Sequence, residues 1–268
     1  MTITPIRLVC VDVDGTMVGH SGTVHPAVWE AAERARSSGL LITMNSGRPG
    51  FGVTRTLAER LAPGGWHCFQ NGASVLNLAT GDSLSSYLDP ESVSMLVARA
   101  RATGRILELY SDDDYVCESD APIAVKHAGL LGVAFEPRPF ETLRGRVVRA
   151  QWLTTHAEAG TVLAEPHPGI ELSPSLAPLM PEARFINLTR EGVDKATAVR
   201  LVSEAYGVPL AQVMYVGDGL NDTPALRIVG LPVAMANAEP EARAAARHHV
   251  GHVDEGGLAE ALDLALAA

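Results

Sequence analysis

With 268 residues, 47% of them apolar, the chain is long enough for one large core or two modest ones and is not a disordered polymer. Its formal charge of −10 excludes a general nucleic-acid or anionic-membrane surface. Its apolar runs all stop short of the roughly 18–20 residues that cross a bilayer.

The opening "MTITPIRLVC" carries no cationic segment ahead of a long apolar stretch, so no secretion signal is read there. Cys10, Cys68 and Cys117 lie far apart without C-x-x-C spacing, which fits reduced thiols and a cytoplasmic protein. The first predicted strand, Ile6–Val11, is a continuous apolar run that delivers Asp12, Asp14 and Gly15 in "DVDGT". A helix is predicted from Pro26, a good first-turn residue, to the stop at Gly39. The second strand, Leu40–Met44, runs into "NSGRP" (Asn45–Pro49), followed by a helix over Phe51–Leu61 and a third strand over His67–Gln70. Beyond the middle of the chain come strands at Val213–Val216 and Pro232–Met235, with helices at Lys195–Tyr206, Asp222–Val229 and Glu239–Arg247. Apolar strands alternating with helices predict an α/β fold: a doubly wound, mostly parallel sheet whose ligands sit beyond the carboxyl ends of the strands.

The middle reads differently. Helices are predicted at Glu91–Ala102 and His156–Glu165, with antiparallel strands in "GRILELYS" and "RVVRAQWLT". Prolines cluster here, among them Pro122, Pro174 and Pro178. The expected organisation is a core in two parts, 1–86 and 187–268, with an α+β domain inserted over 87–186. The acidic run "SDDDY" at Ser111–Tyr115 reads as a solvated loop.

Three motifs follow core strands: "DVDGT", "NSGRP" and "GDGLND" (Gly217–Asp222). A fourth, "EGVDKAT", opens a helix after the insertion. Each alone is an ordinary turn or helix cap. A calcium EF-hand loop is excluded, because Gly15 falls at its fourth position and Thr23 stands where its terminal Glu belongs. A D-x-D motif holding a metal–nucleotide-sugar stays open on these residues alone. In a parallel sheet, however, the motifs meet at one edge. Three or four carboxylates gathered there need a cation, and an all-oxygen site suits Mg²⁺. Ser46, the Gly47 amide and Lys195 supply donors for an oxyanion. Together these are the minimum apparatus for phosphoryl transfer.

In order, "DVDGT", "SGR", the lysine of "GVDKATAV" and "GDGLND" resemble the four motifs of the haloacid-dehalogenase-like phosphohydrolases. "QNGA" (Gln70–Ala73) and "VAMANA" (Val233–Ala238) are similar to the Cof-type branch, whose large α/β cap sits where the insertion does. The resemblance implies that Asp12 is the nucleophile that becomes an aspartyl phosphate. Asp14 is then general acid and base and lends its carbonyl to Mg²⁺, with Asp12 and Asp218 as the other metal ligands. Asp222 supports that shell, and Ser46, Lys195 and Asn221 hold the phosphate, to which the Gly47 amide adds a donor. Arg48, directly after the Ser-Gly turn, is placed by its position to reach a substrate group or a carboxylate of the inserted domain. The implied partner is a small phosphorylated metabolite, a sugar phosphate being the leading choice, with no nucleic acid or membrane involved.

Asp14 speaks against dehalogenation, since that branch lacks the second acid. A sugar phosphomutase is the alternative enzyme. A phosphorylation-switched signalling module is the alternative from another class, but it has no use for a large insertion. Asp194, Ala196 and Asn187 depart from the branch's usual residues. His67 is expected to be a satisfied core histidine, and His248, His249 and His252 are expected on a surface strand.

Overall fold

The computed structural model describes residues 5–175 and 180–268; Pro178 and the first four residues of the opening segment lie outside them. The chain begins with β1 (Leu8–Val11), α1 (Pro26–Ser37), β2 (Leu41–Met44), α2 (Gly52–Leu61), β3 (Trp66–Phe69) and β4 (Ser74–Asn77). It continues through α3 (Pro90–Thr103), β5 (Ile106–Tyr110), β6 (Tyr115–Cys117), α4 (Pro122–Leu131), β7 (Arg149–Thr155), α5 (His156–Ala164), β8 (Ile170–Ser175) and β9 (Ala183–Arg190). It closes with α6 (Lys195–Ala205), β10 (Val213–Gly217), α7 (Thr223–Leu226), β11 (Leu231–Ala234), α8 (Pro240–Ala245), β12 (His248–His249) and α9 (Gly257–Ala267). Two compact units result. One comprises the chain up to Gly47 with Thr56–Leu84 and Asp194–Ala268; the other comprises Arg48–Arg55 and Ser85–Val193.

The first unit carries a parallel sheet in the order β12-β11-β10-β1-β2. All four residues of β1 are buried because this strand is central and covered on both sides. Val9 and Val11 pack with Ala31 and Ala35 of α1 and Leu258 and Leu262 of α9. Leu8 and Cys10 pack on the other side with Val199 and Val202 of α6 and Leu226 of α7. The doubly wound sheet is therefore present, with helices on both faces. In α1, Pro26 occupies the first turn and His25 caps it, accepting from the Ala27 amide. Its buried Val28, Ala31, Ala32 and Ala35 lie on one helical face.

One strand departs from expectation. The segment His67–Gln70 was expected in the parallel sheet, but β3 pairs antiparallel with β4 and meets β2 through the isolated bridge Asn45–Cys68. The cause is local: Gln70 and Asn71 both adopt φ of 55°, which turns the chain back so that β4 takes the hydrogen-bonding edge. The helix expected over Asp222–Val229 shortens to α7. β12 is an exposed edge strand, as the histidine-rich segment suggested.

The second unit is built on an antiparallel sheet in the order β6-β5-β7-β9-β8. Leu107, Leu109, Trp152, Ile186 and Leu188 face α3 and α5, while Tyr110, Leu153 and Phe185 share a cluster with Ala124 and Ala128 of α4. β9 runs through position 186, where the sequence places the end of the insertion, because it pairs on both sides with β7 and β8. Pro174 is accommodated in β8 because that strand is at the sheet edge. The acidic loop is not simply solvated. Asp114 accepts from Arg138 Nη2 at 2.6 Å and from the Arg144 amide at 2.8 Å, and these donors hold its carboxyl below the usual range against the opposing effect of burial.

Candidate active site

β10, β1 and β2 are adjacent and parallel, so whatever follows their last residues is delivered to one edge. The register continues past the strands: the Asp12 amide donates to Val216 O at 3.0 Å, and the Asn45 amide to Val11 O at 2.7 Å. Asp12 and Asn45 are thereby fixed by backbone pairing before any side chain acts.

Lys195 is the hub. It is fully buried, and its Nζ ion-pairs with Asp12 Oδ1 and, at 2.6 Å, with Asp222 Oδ1. Its position follows from Asp194, which caps α6 by accepting from the Thr197 amide at 2.8 Å. Asn45 Nδ2 holds the Lys195 carbonyl at 3.1 Å. The residue flagged as a departure from the family pattern therefore sets where the helix starts.

Asp222 is saturated by the protein. Oδ1 accepts from Lys195 and from Tyr215 OH at 2.6 Å, while Oδ2 accepts from the amides of Asp218 and Gly219 at 3.0 and 2.9 Å. This carboxylate shapes the loop instead of offering an oxygen to a ligand. Gly217 is obligatory beside it, since a Cβ there would lie 2.6 Å from Asp222 Cγ. Asp218 accepts from Thr16 Oγ1 at 3.0 Å on one oxygen and from Asn237 Nδ2 at 3.3 Å on the other. Asn237 also donates to Gly15 O at 2.7 Å, tying the "VAMANA" segment to the first motif.

Carboxylate oxygens of Asp12, Asp218 and Asp222 lie within 4.8 Å of one another. Lys195 is the single cation paired with this group among the described residues. The imbalance appears in the proton affinities. Burial, then repulsion from Asp222, raises Asp12 well above its ordinary value despite Lys195. The same two causes push Asp218 up to about 6. Burial alone would lower Lys195, but Asp12 and Asp222 outweigh it and raise the amine. A divalent cation with oxygen ligands relieves such a charge excess, so the carboxylates of Asp12 and Asp218, with Asp222 behind them, fit Mg²⁺.

The remaining expected residues fall in different places. Asp14 is exposed and is not one of the three clustered carboxylates. Ser46 is buried, its amide donating to Cys68 O at 2.9 Å. Gly47 is close to Asn71 Oδ1, which a Cβ at 47 would approach to 3.1 Å. The same Asn71 oxygen accepts from Asn221 Nδ2 at 3.0 Å. Asn71 thus positions Asn221 beside Gly47 from a left-handed turn, a role that the likeness of "QNGA" to the Cof-type branch did not specify. Arg48 groups with the other unit. Thr16, Asn45, Asn71, Tyr215 and Asn237 are the positioning residues that sequence reasoning missed.

The model of the haloacid dehalogenase-like hydrolase family matches residues 9–164 and 170–262, both parts of the core and most of the insertion. The chain belongs to this family. Within the haloacid-dehalogenase-like hydrolases it falls in the Cof-type branch with the large α/β cap. YxeH of Bacillus subtilis, named as a phosphatase without a stated substrate, is 26% identical over 97% of this chain and 99% of its own. A haloacid dehalogenase-like hydrolase from Bacteroides thetaiotaomicron superposes with a TM-score of 0.85 at 25% identity, over 97% of this chain and 99% of that one. The subclass IIB sugar phosphatase BT4131 has the same fold, with a TM-score of 0.78 at 23% identity over 96% and 98% of the two chains. Among the described residues, no helix is long and apolar enough to cross a membrane.

Proposed function

We propose that this hydrolase is a Mg²⁺-dependent phosphatase acting on a small phosphorylated metabolite, with a sugar phosphate the leading class. The observation that carries the reading is a buried carboxylate, Asp12, held by one lysine within a cluster that has more negative charge than its protein partners neutralise. Phosphatase-named relatives that match over nearly the whole length support it.

The residues divide the work. Lys195 holds Asp12 Oδ1, which leaves Oδ2 to attack phosphorus and form an aspartyl phosphate while the P–O bond to the leaving alkoxide breaks. Asp14, exposed just ahead of the turn that Gly15 opens, gives a proton to that alkoxide and then takes one from the water that cleaves the acyl phosphate. Ser46, the Gly47 amide, Lys195 and Asn221 hold the phosphoryl oxygens. Asp12, Asp218 and the Asp14 carbonyl would hold the Mg²⁺, which supplies charge screening for attack of an anion on an anion. Asp222 keeps Lys195 and the Asp218 loop in place.

Release of phosphate from an aryl phosphate tests this directly. Asp12→Asn, and separately chelation by EDTA, are expected to lower turnover by more than about 10³-fold, with magnesium restoring only the chelated wild type. Undiminished turnover by Asp12→Asn overturns the mechanism.

A further inference from the structure

The inserted unit contains a polar row that the reaction above does not use. On one face of its sheet, the register places Glu108 beside Gln151, Gln151 beside Asn187, and Asn187 beside Ser173. Glu108 is fully buried and fully engaged. It accepts from Tyr110 OH at 2.9 Å, Tyr115 OH at 2.7 Å and Gln151 Nε2 at 2.7 Å, and it contacts His127 Nδ1 at 2.8 Å.

Arg149 lies on the same face, two residues before Gln151, and is only 4% exposed. Its guanidinium stacks on the Tyr110 ring with Cζ 4.1 Å from the centroid, and Nη1 donates to Asn187 Oδ1 at 2.7 Å. Asn187 in turn donates from Nδ2 to Ser173 O and Ser175 Oγ, each at 3.1 Å, which fixes its amide with the oxygen toward Arg149. The cation is therefore oriented by neutral groups. Among the described residues Arg149 has no carboxylate at ion-pair distance, and its buried Nε has no hydrogen-bond partner. Burial draws the guanidinium's pKa down, against the pull of Tyr110 and Glu108. Holding a desolvated cation this way is costly in a structural role alone, where an Asp at 187 would neutralise it at no change in shape.

We infer that Arg149, set by Tyr110 and Asn187, is an anion-binding position of the inserted domain that takes a carboxylate or phosphate oxygen. The group is either carried by the substrate, in which case the inference rests on the phosphatase reading, or supplied by a free anion, in which case it does not.

Two measurements on wild type, Arg149→Gln and Asn187→Asp decide it. The first compares kcat/KM within matched pairs: glycerol phosphate with phosphoglycerate, and a hexose monophosphate with its bisphosphate. The second is calorimetric binding of malonate in EDTA. Asn187→Asp keeps the packing and cancels the charge, so it guards against a failure of Arg149→Gln to fold. If the anion belongs to the substrate, the wild type favours the more acidic member of each pair, and both variants reduce that preference about tenfold or more, with Arg149→Lys recovering part of it. If it is a free anion, the pair ratios stay constant and malonate binding is lost in both variants. Malonate binding lost in both variants of a chain that cleaves no phosphate upholds this site while refuting the phosphatase reading. Unchanged ratios together with unchanged malonate binding overturn the inference.

Discussion

Gly15 leaves no room for a methyl group. It sits at φ +83°, and a Cβ would fall 2.0 Å from Asp218 Oδ2, so both backbone and neighbour forbid a side chain. Gly15→Ala is expected to cost about 1–3 kcal/mol of stability and to reduce aryl-phosphate turnover at least about a hundredfold, because the loop can relieve the clash only by displacing Asp218. A thermal melt alongside the rate measurement checks both, and wild-type turnover would show that the Asp218 contact does not matter. At this scale the charged residues were legible. Asp12, Lys195, Asp218 and Asp222 stand out because several acids at one sheet edge need an explanation. Thr16, Asn71, Tyr215 and Asn237 were not legible, because a neutral donor or acceptor acquires meaning only from the direction in which the fold aims it. Asp222 shows the difference within one residue type: its four protein donors make it a scaffold, which no spacing rule reveals.

Among the elements, β3 depends on a histidine. His67 Nδ1 accepts from the Met44 amide at 3.1 Å and Nε2 faces Ala62 O at 2.9 Å, joining β3 to β2 outside the main sheet. An acceptor role at Nδ1 is incompatible with a second ring proton. Burial accordingly lowers His67 from 6.5 to about 4. The folded pKa lies below the unfolded one, so the unfolded chain binds the proton first. Stability is complete above the unfolded value and is lost as pH falls from about 6.5 to about 4. The loss from this group is about 3 kcal/mol. Denaturant titrations at pH 7.5 and pH 4.5 should show it, with a flatter dependence in His67→Gln; an equal slope in the variant would assign the loss to other groups. Strands and helices with clear periodicity were legible, as α1 and β1 show. α4 and α9 were not. Pro122 stands in a proline cluster that gives no sign that it opens a helix, and the alanine-rich C-terminal segment lacks a polar face regular enough to declare a period. β3 was legible as a buried strand that meets the parallel sheet, through the parallel bridge Asn45–Cys68, but its antiparallel partner β4 was not, because that pairing is decided by the left-handed turn after it.

Each of the two units has its own apolar clusters, one pair about the parallel sheet and one pair about the antiparallel sheet. Trp152 is fully buried in the second. Trp152→Ala is expected to destabilise that unit by about 3–5 kcal/mol. Hydrogen exchange should then quicken across β5, β7 and β9 while β1 and β10 keep their protection; uniform loss would mean that the chain unfolds as one cooperative body. The chain divides into two units where its strand and proline pattern changes, and position 186 lies inside β9, which offers no composition break there. The pairing of β1 with β10 has a temporal consequence. Thr16 and its partner Asp218 stand 202 positions apart, so on the ribosome the first strand emerges long before the neighbour that covers it. The inserted unit, whose strands pair closer in sequence, can close during synthesis. The nascent Asp12 must meanwhile remain hydrated and unassembled, and its cluster with Lys195, Asp218 and Asp222 cannot form until most of the last third of the polypeptide has been translated.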